Sequence, residues 1–158
     1  MSPATAHRPE TENPTEMTMT AYPLIALCIA LATAVPALAD APKPVKVTAA
    51  QAKGPIFGRK DAVKENGADG PTTDVSLLQS DDKKMQAGVY KAGPSDTAID
   101  SYPEDEFCYL LTGSVKLTSS DGSVIKAKAG EAFAIHKGWK GRWTTRGYTK
   151  YYVTYESP

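Results

Sequence analysis

From Asp74 to the C-terminus, short apolar runs alternate with turn signals so closely that a long helix has no place. The runs are Val75–Gln79, Met85–Lys91, Thr97–Asp100, Phe107–Leu111, Ser114–Thr118, Val124–Ala127, Ala132–His136, Gly141–Thr145 and Lys150–Tyr155. Between them lie Ser80-Asp81-Asp82, Gly93-Pro94-Ser95-Asp96, Asp121-Gly122, Ala129-Gly130 and Arg146-Gly147. Asp121-Gly122 is the clearest hairpin signal, because its second residue tolerates positive φ. Roughly nine short strands at this spacing predict an all-β sandwich or barrel.

One stretch inside this rhythm is unusual. Glu104-Asp105-Glu106 leads into Phe107-Cys108-Tyr109-Leu110-Leu111, and Thr112-Gly113 closes it. Alternation along a strand puts Glu106, Cys108 and Leu110 on one face and Phe107, Tyr109 and Leu111 on the other. Both faces are largely apolar, so both should be covered. Glu106 is expected to point inward and to mark the mouth of a pocket. The outer face is expected to be covered by the segment Ala41–Phe57 or by a second subunit in a homodimer.

Before Asp74 the chain reads differently. Leu24–Leu38 is apolar and alanine-rich, and Ala37-Leu38-Ala39 offers a small-x-small cleavage pattern. Residues 1–39 are expected to be a secretory signal peptide, with Met17 or Met19 as alternative starts, so the protein is expected to be periplasmic or secreted. The apolar run is short for a membrane span, which needs about 20 residues. Cleavage removes Cys28 and leaves Cys108 alone, so the mature chain has no internal disulfide. The balance of 18 basic and 18 acidic residues loses one arginine and three glutamates, leaving 17 against 15. That balance gives no reason to expect nucleic acid as a partner. Residues 40–73 read as a leader and loop with little regular structure. Thr48 can cap a short helix over Ala49–Lys53, Gly54-Pro55 would stop it, and a helical turn fits Asp61–Glu65. The barrel itself is assigned to 74–158.

Several spaced elements then carry a resemblance. Six residues separate Glu106 from Gly113, with Gly93 at the matching distance upstream, and five separate Gly130 from His136-Lys137-Gly138. These resemble the two motifs of the cupins, small jelly-roll barrels. Glu106–Gly113, Asp121-Gly122, Gly130-Glu131-Ala132-Phe133 and Gly141-Arg142-Trp143 resemble the branch that contains ureidoglycine-aminohydrolase-type and ethanolamine-utilisation-type domains. The resemblance implies a single jelly-roll cupin β-barrel. In metal-binding cupins two histidines come from the first motif and one from the second. Here those places hold Ile99 and Ser101, or Asp100 and Tyr102 with the shorter gap, and Gly141. The mature chain has one histidine, His136, so the family's metal site is not expected and no cofactor is assigned, the alternative being a mixed site of Glu106 with Asp100, Cys108 and His136.

The expected pocket residues are Tyr102, Glu106, Cys108, His136 and Trp143. Glu106 could act as acid or base with His136 as its helper, and Trp143, two residues after Gly141, should form an aromatic wall. Three functions fit: metal-free binding of a small polar or nitrogen-containing molecule, which is the reading preferred here; hydrolysis of a ureido or amino group or related acid–base chemistry, which the resemblance implies; and a scaffold with a vestigial pocket.

Overall fold

The computed structural model describes residues 43–67 and 69–158; the expected signal sequence with Cys28 lies outside them. Eight strands run β1 Val63–Gly67, β2 Gly70–Gln79, β3 Met85–Ala92, β4 Ser95–Ile99, β5 Asp105–Ser119, β6 Val124–Lys128, β7 Ala132–Ile135 and β8 Gly141–Tyr155. All pairings are antiparallel. Among the described residues the only α-helix is the single turn α1, Ala49–Ala52, and no helix there is long and apolar enough to cross a membrane.

The spine of the sheet is the β5–β8 pair, which runs from Asp105↔Tyr155 to Ser119↔Gly141. Each of these strands joins two of the apolar runs read from the sequence. Gly113 and Gly147 look like turn glycines, yet they lie inside the strands as bulges, with φ of +73° and +115°. The two bulges abut, and a Cβ on Gly113 would sit 2.0 Å from the Gly147 carbonyl oxygen. The extra residue at a bulge changes which side chains face inward. Glu106, Cys108 and Leu110 face in before the β5 bulges, and Val115 and Leu117 face in after them. On β8 Trp143 and Thr145 are buried before the bulge, and Tyr148, Thr149, Lys150 and Tyr152 after it.

The sheet order is β1-β2-β3-β8-β5-β6, with β4 attached to β8 and β7 to β5. The closed barrel expected from the sequence is therefore not formed. The strands make one open antiparallel sheet, and β1 and β6 end it without pairing to each other. Side-chain burial on the inner face does the work that edge-to-edge hydrogen bonds would do in a closed barrel. That inner face holds one core cluster, including Cys108, Leu110, Leu117, Phe133, Trp143 and Tyr148.

The leader is more ordered than its composition suggests. Thr48 caps α1 through a capping box with Gln51, and Pro55–Gly58 follows as a 3-10 turn. This short unit buries Ala52, Ile56 and Phe57 against Val75 and Val89, with Leu111 and Tyr151 beside them. The helical turn expected at Asp61–Glu65 is not formed; Val63–Gly67 pair as β1 instead. Its burial pattern is exposed throughout, so pairing with β2 and not packing defines it. The leader covers only part of the outer face: Leu111 is half-buried beneath it, whereas Phe107, Tyr109, Val153 and Tyr155 are 52, 39, 41 and 46% exposed.

Candidate functional site

The β5–β8 register sets Glu106 opposite Thr154, Cys108 opposite Tyr152 and Leu110 opposite Lys150. Lys150 thus lies two pairs along from Glu106 on the same inner face. Its long side chain leans past Cys108, with Nζ 3.6 Å from Sγ, and reaches Glu106 Oε1 at 2.7 Å. The Lys150 and Glu106 side chains are 6 and 4% exposed, so this is a buried ion pair. Glu106 Oε2 accepts from the Tyr102 hydroxyl at 2.5 Å.

Aromatic rings enclose the ammonium. Nζ lies 5.2 Å from the ring centre of Tyr90, 5.4 Å from Trp143, 5.8 Å from Tyr148 and 5.9 Å from Tyr152. Each such contact favours a desolvated cation. Burial opposes a charge on Lys150, but its electron-rich neighbours, Tyr148 and Glu106 foremost, outweigh burial and hold it protonated well above the ordinary lysine range. Burial likewise pushes the Tyr102 and Tyr148 hydroxyls up, so both stay neutral donors.

This cluster forms the inner wall of a cleft of 380 Å³. Tyr102 stacks on Trp143, with ring centres 6.4 Å apart and planes 8° from parallel. It is pinned by two backbone hydrogen bonds, its N–H to the Trp139 carbonyl and its carbonyl from the Gly138 N–H. Across the cleft, Asp74 on β2 accepts from the Tyr152 hydroxyl at 2.9 and 3.0 Å and from Gln86 Nε2 at 3.4 Å. Burial holds the Asp74 carboxyl above the usual carboxylate range, against the lowering effect of the Tyr152 hydrogen bond. Asp69 and Glu104 line the same cleft.

Of the residues expected in the pocket, Tyr102, Glu106 and Trp143 line this cleft. Cys108 lies behind the Lys150–Glu106 pair and is fully buried, and burial pushes its thiol up to about 12. A cation is near it, yet the thiolate that nucleophilic chemistry needs is disfavoured. His136 is elsewhere. Its side chain is 94% exposed, Nδ1 sits 3.2 Å from Asp105 Oδ1, and it borders a different cleft beside Trp139. The structure does not bring His136 to Glu106, so the two do not form an acid–base pair.

The metal of histidine-bearing cupins can be tested against these residues. Both oxygens of Glu106 are engaged, one by a fixed ammonium and one by a phenol. Ile99 and Tyr102 line the cleft where histidines would be wanted. Among the described residues no three His, Cys, Asp or Glu side chains group closely enough to hold an ion. The donor set does not fit such a metal.

Lys150, Asp74, Tyr90, Tyr148 and Tyr152 were not singled out from the sequence. Lys150 stands alone in Tyr148-Thr149-Lys150-Tyr151-Tyr152-Val153-Thr154-Tyr155. Alternation puts it on one face with Tyr148 and Tyr152. Hydropathy favours burial of the other face, Tyr151, Val153 and Tyr155, whereas the structure buries the lysine face and leaves Val153 and Tyr155 exposed. A lone lysine flanked at two residues on either side by tyrosines was the available signal.

Residues 79–152 match the family described as the EutQ-like cupin domain. Among solved structures, a protein of unknown function of the DUF861 family from Pseudomonas syringae superposes with a TM-score of 0.54 at 18% identity, over 59% of this chain and 43% of that one. The chain thus spans less than half of that relative. A putative ethanolamine utilization protein Q from Salmonella typhimurium gives 0.50 at 23% identity, over 65% of this chain and 80% of that one. Ectoine synthase from P. lautus gives 0.53 at 15% identity, over 72 and 78%. At these identities the likeness is one of fold. No curated protein matches the sequence. The family match and the antiparallel sheet agree: over residues 79–152 the chain matches a cupin domain of the EutQ-like type.

Proposed function

We propose that the domain binds a small polar or nitrogen-containing molecule in the Tyr102–Trp143 cleft without a metal. The observation that carries this reading is the preformed 380 Å³ space, whose inner wall is a fully partnered polar network and whose sides are aromatic. A cavity with a few fixed polar groups and apolar walls is the common form of a small-molecule site. The catalytic alternative has less support. Both Glu106 oxygens are already engaged, one by the Lys150 ammonium and one by the Tyr102 hydroxyl, and His136 is out of reach. Likeness of fold to ectoine synthase and to the ethanolamine utilization protein lends no substrate.

Thermal unfolding across a panel of small neutral, anionic and cationic metabolites tests the reading. A ligand at 100 times its Kd should add about 2.7 kcal/mol of stability. Thr154→Trp fills the cleft from a half-buried lining position and leaves the ion pair intact. It should abolish the ligand-induced shift while the unliganded Tm stays close to that of the parent. A panel without any effect on the parent protein would leave the scaffold reading in its place.

Two further elements belong to the proposal. Export rests on the apolar Leu24–Leu38 run and the Ala37-Leu38-Ala39 site; N-terminal sequencing of protein recovered outside the cytoplasm should begin at Asp40. A homodimer rests on the exposed strip of Phe107, Tyr109, Val153 and Tyr155, which a second copy could cover isologously. Sedimentation should give a dimer, and Phe107→Lys should give a monomer.

A further inference from the structure

We propose that the occupant of this cleft is a small organic cation, a protonated or quaternary amine, held by Asp74 with Asp69 and Glu104 at the mouth. The inference rests on the binding reading above and narrows it to one charge class. Four lining residues are acidic and one is basic. The one basic group, Lys150, is matched to Glu106 at 2.7 Å, with both side chains more than nine-tenths buried. The pair leaves no net charge, so the remaining field of the cleft is that of Asp69, Asp74 and Glu104.

Among the described residues none of these three forms an ion pair with a lysine, arginine or histidine. Asp74 is half-buried and takes hydrogen bonds from neutral donors, Tyr152 and Gln86 among them. Asp69 takes one from the Thr97 hydroxyl at 2.8 Å. An anion entering here would meet three carboxylates, whereas a cation would supply the partner they lack.

The choice of an organic cation over a divalent ion follows from how the carboxylates are placed. They come from three separate segments: the β1–β2 turn, strand β2 and the connection into β5. They do not converge as ion ligands. The rings of Tyr90, Trp143 and Tyr148 line the same cleft, and aromatic surroundings suit a weakly hydrated ammonium. The protein already shows this chemistry within the same walls. The alkylammonium of Lys150 is held there by one carboxylate and four rings.

The test uses three probes of one size and different charge: benzylammonium, benzyl alcohol and benzoate, titrated into the purified protein by calorimetry at neutral pH. Benzylammonium should bind at least about tenfold more tightly than either of the others, a difference of one decade in Kd. Asp74→Asn should weaken benzylammonium at least about tenfold without loss of thermal stability, and Glu104→Gln should weaken it less. Benzoate or benzyl alcohol binding as tightly as benzylammonium would overturn the proposal and leave small-molecule binding standing. So would benzylammonium affinity unchanged in a folded Asp74→Asn protein. If none of the three binds and the wider panel also fails, both readings fall together.

Discussion

Removing one partner of the Lys150–Glu106 pair leaves the other's charge inside the sheet, where solvent cannot compensate it. Lys150→Met and Glu106→Gln should each cost about 3–5 kcal/mol in denaturant unfolding. The double variant should cost clearly less than the sum of the singles, because neither charge is then stranded. Additive losses would mean that the two groups are not coupled. Asp74 behaves differently. Its carboxyl is held above the usual range by burial, so ionising it costs the folded state more than the unfolded chain. That cost is absent below the unfolded pKa near 4, appears as pH rises through the folded value, and is constant above it. Asp74→Asn should therefore match the parent near pH 3 and exceed its Tm by about 2 °C at neutral pH, a small gain because Asp74 is half exposed and screened. A gain confined to acid pH would contradict this.

At the scale of single elements, the two long strands depend on their bulges. Gly113 sits at φ +73° with the Gly147 carbonyl where its Cβ would go, and the Tyr148 Cα lies 2.8 Å from the same point. Gly113→Ala should cost more than about 2 kcal/mol, from left-handed strain plus backbone displacement. Gly130 has a similar φ of +88° and open space around it, so Gly130→Ala should show the strain alone. Equal losses at both sites would remove the argument from packing. The sequence made Gly113 and Gly147 visible as turn residues, and the strand register made them bulges. A glycine with positive φ serves a hairpin or a bulge equally well, and only the partner strand distinguishes them. The same ambiguity hid half of the site. The inward face of Trp143 was legible by counting from Gly141. Lys150 lies beyond the Gly147 bulge, where counting from Gly141 is offset by one.

For the whole molecule, the leader has a structural part to play. Ala52, Ile56 and Phe57 cover Val75 and Val89, and burial of Ile56 and Phe57 is worth roughly 1.5–3 kcal/mol each. A chain that begins at Asp61 should unfold at a distinctly lower denaturant concentration than one that begins at Asp40; an unchanged midpoint would show that the leader packs without stabilising. By itself the sequence determined the all-β class, the Asp121-Gly122 hairpin, the helix cap at Thr48 and the inward direction of Glu106. These follow from alternation, glycine and proline chemistry and capping, which act over a few residues. It also carried the resemblance to the cupins that the family match supports. Only the tertiary structure decided that the sheet stays open, that residues 63–67 pair as a strand, and that Glu106 meets Lys150 and not His136. Those outcomes depend on which strands lie side by side and in what register, and contacts between residues 44 positions apart leave no mark on either local stretch.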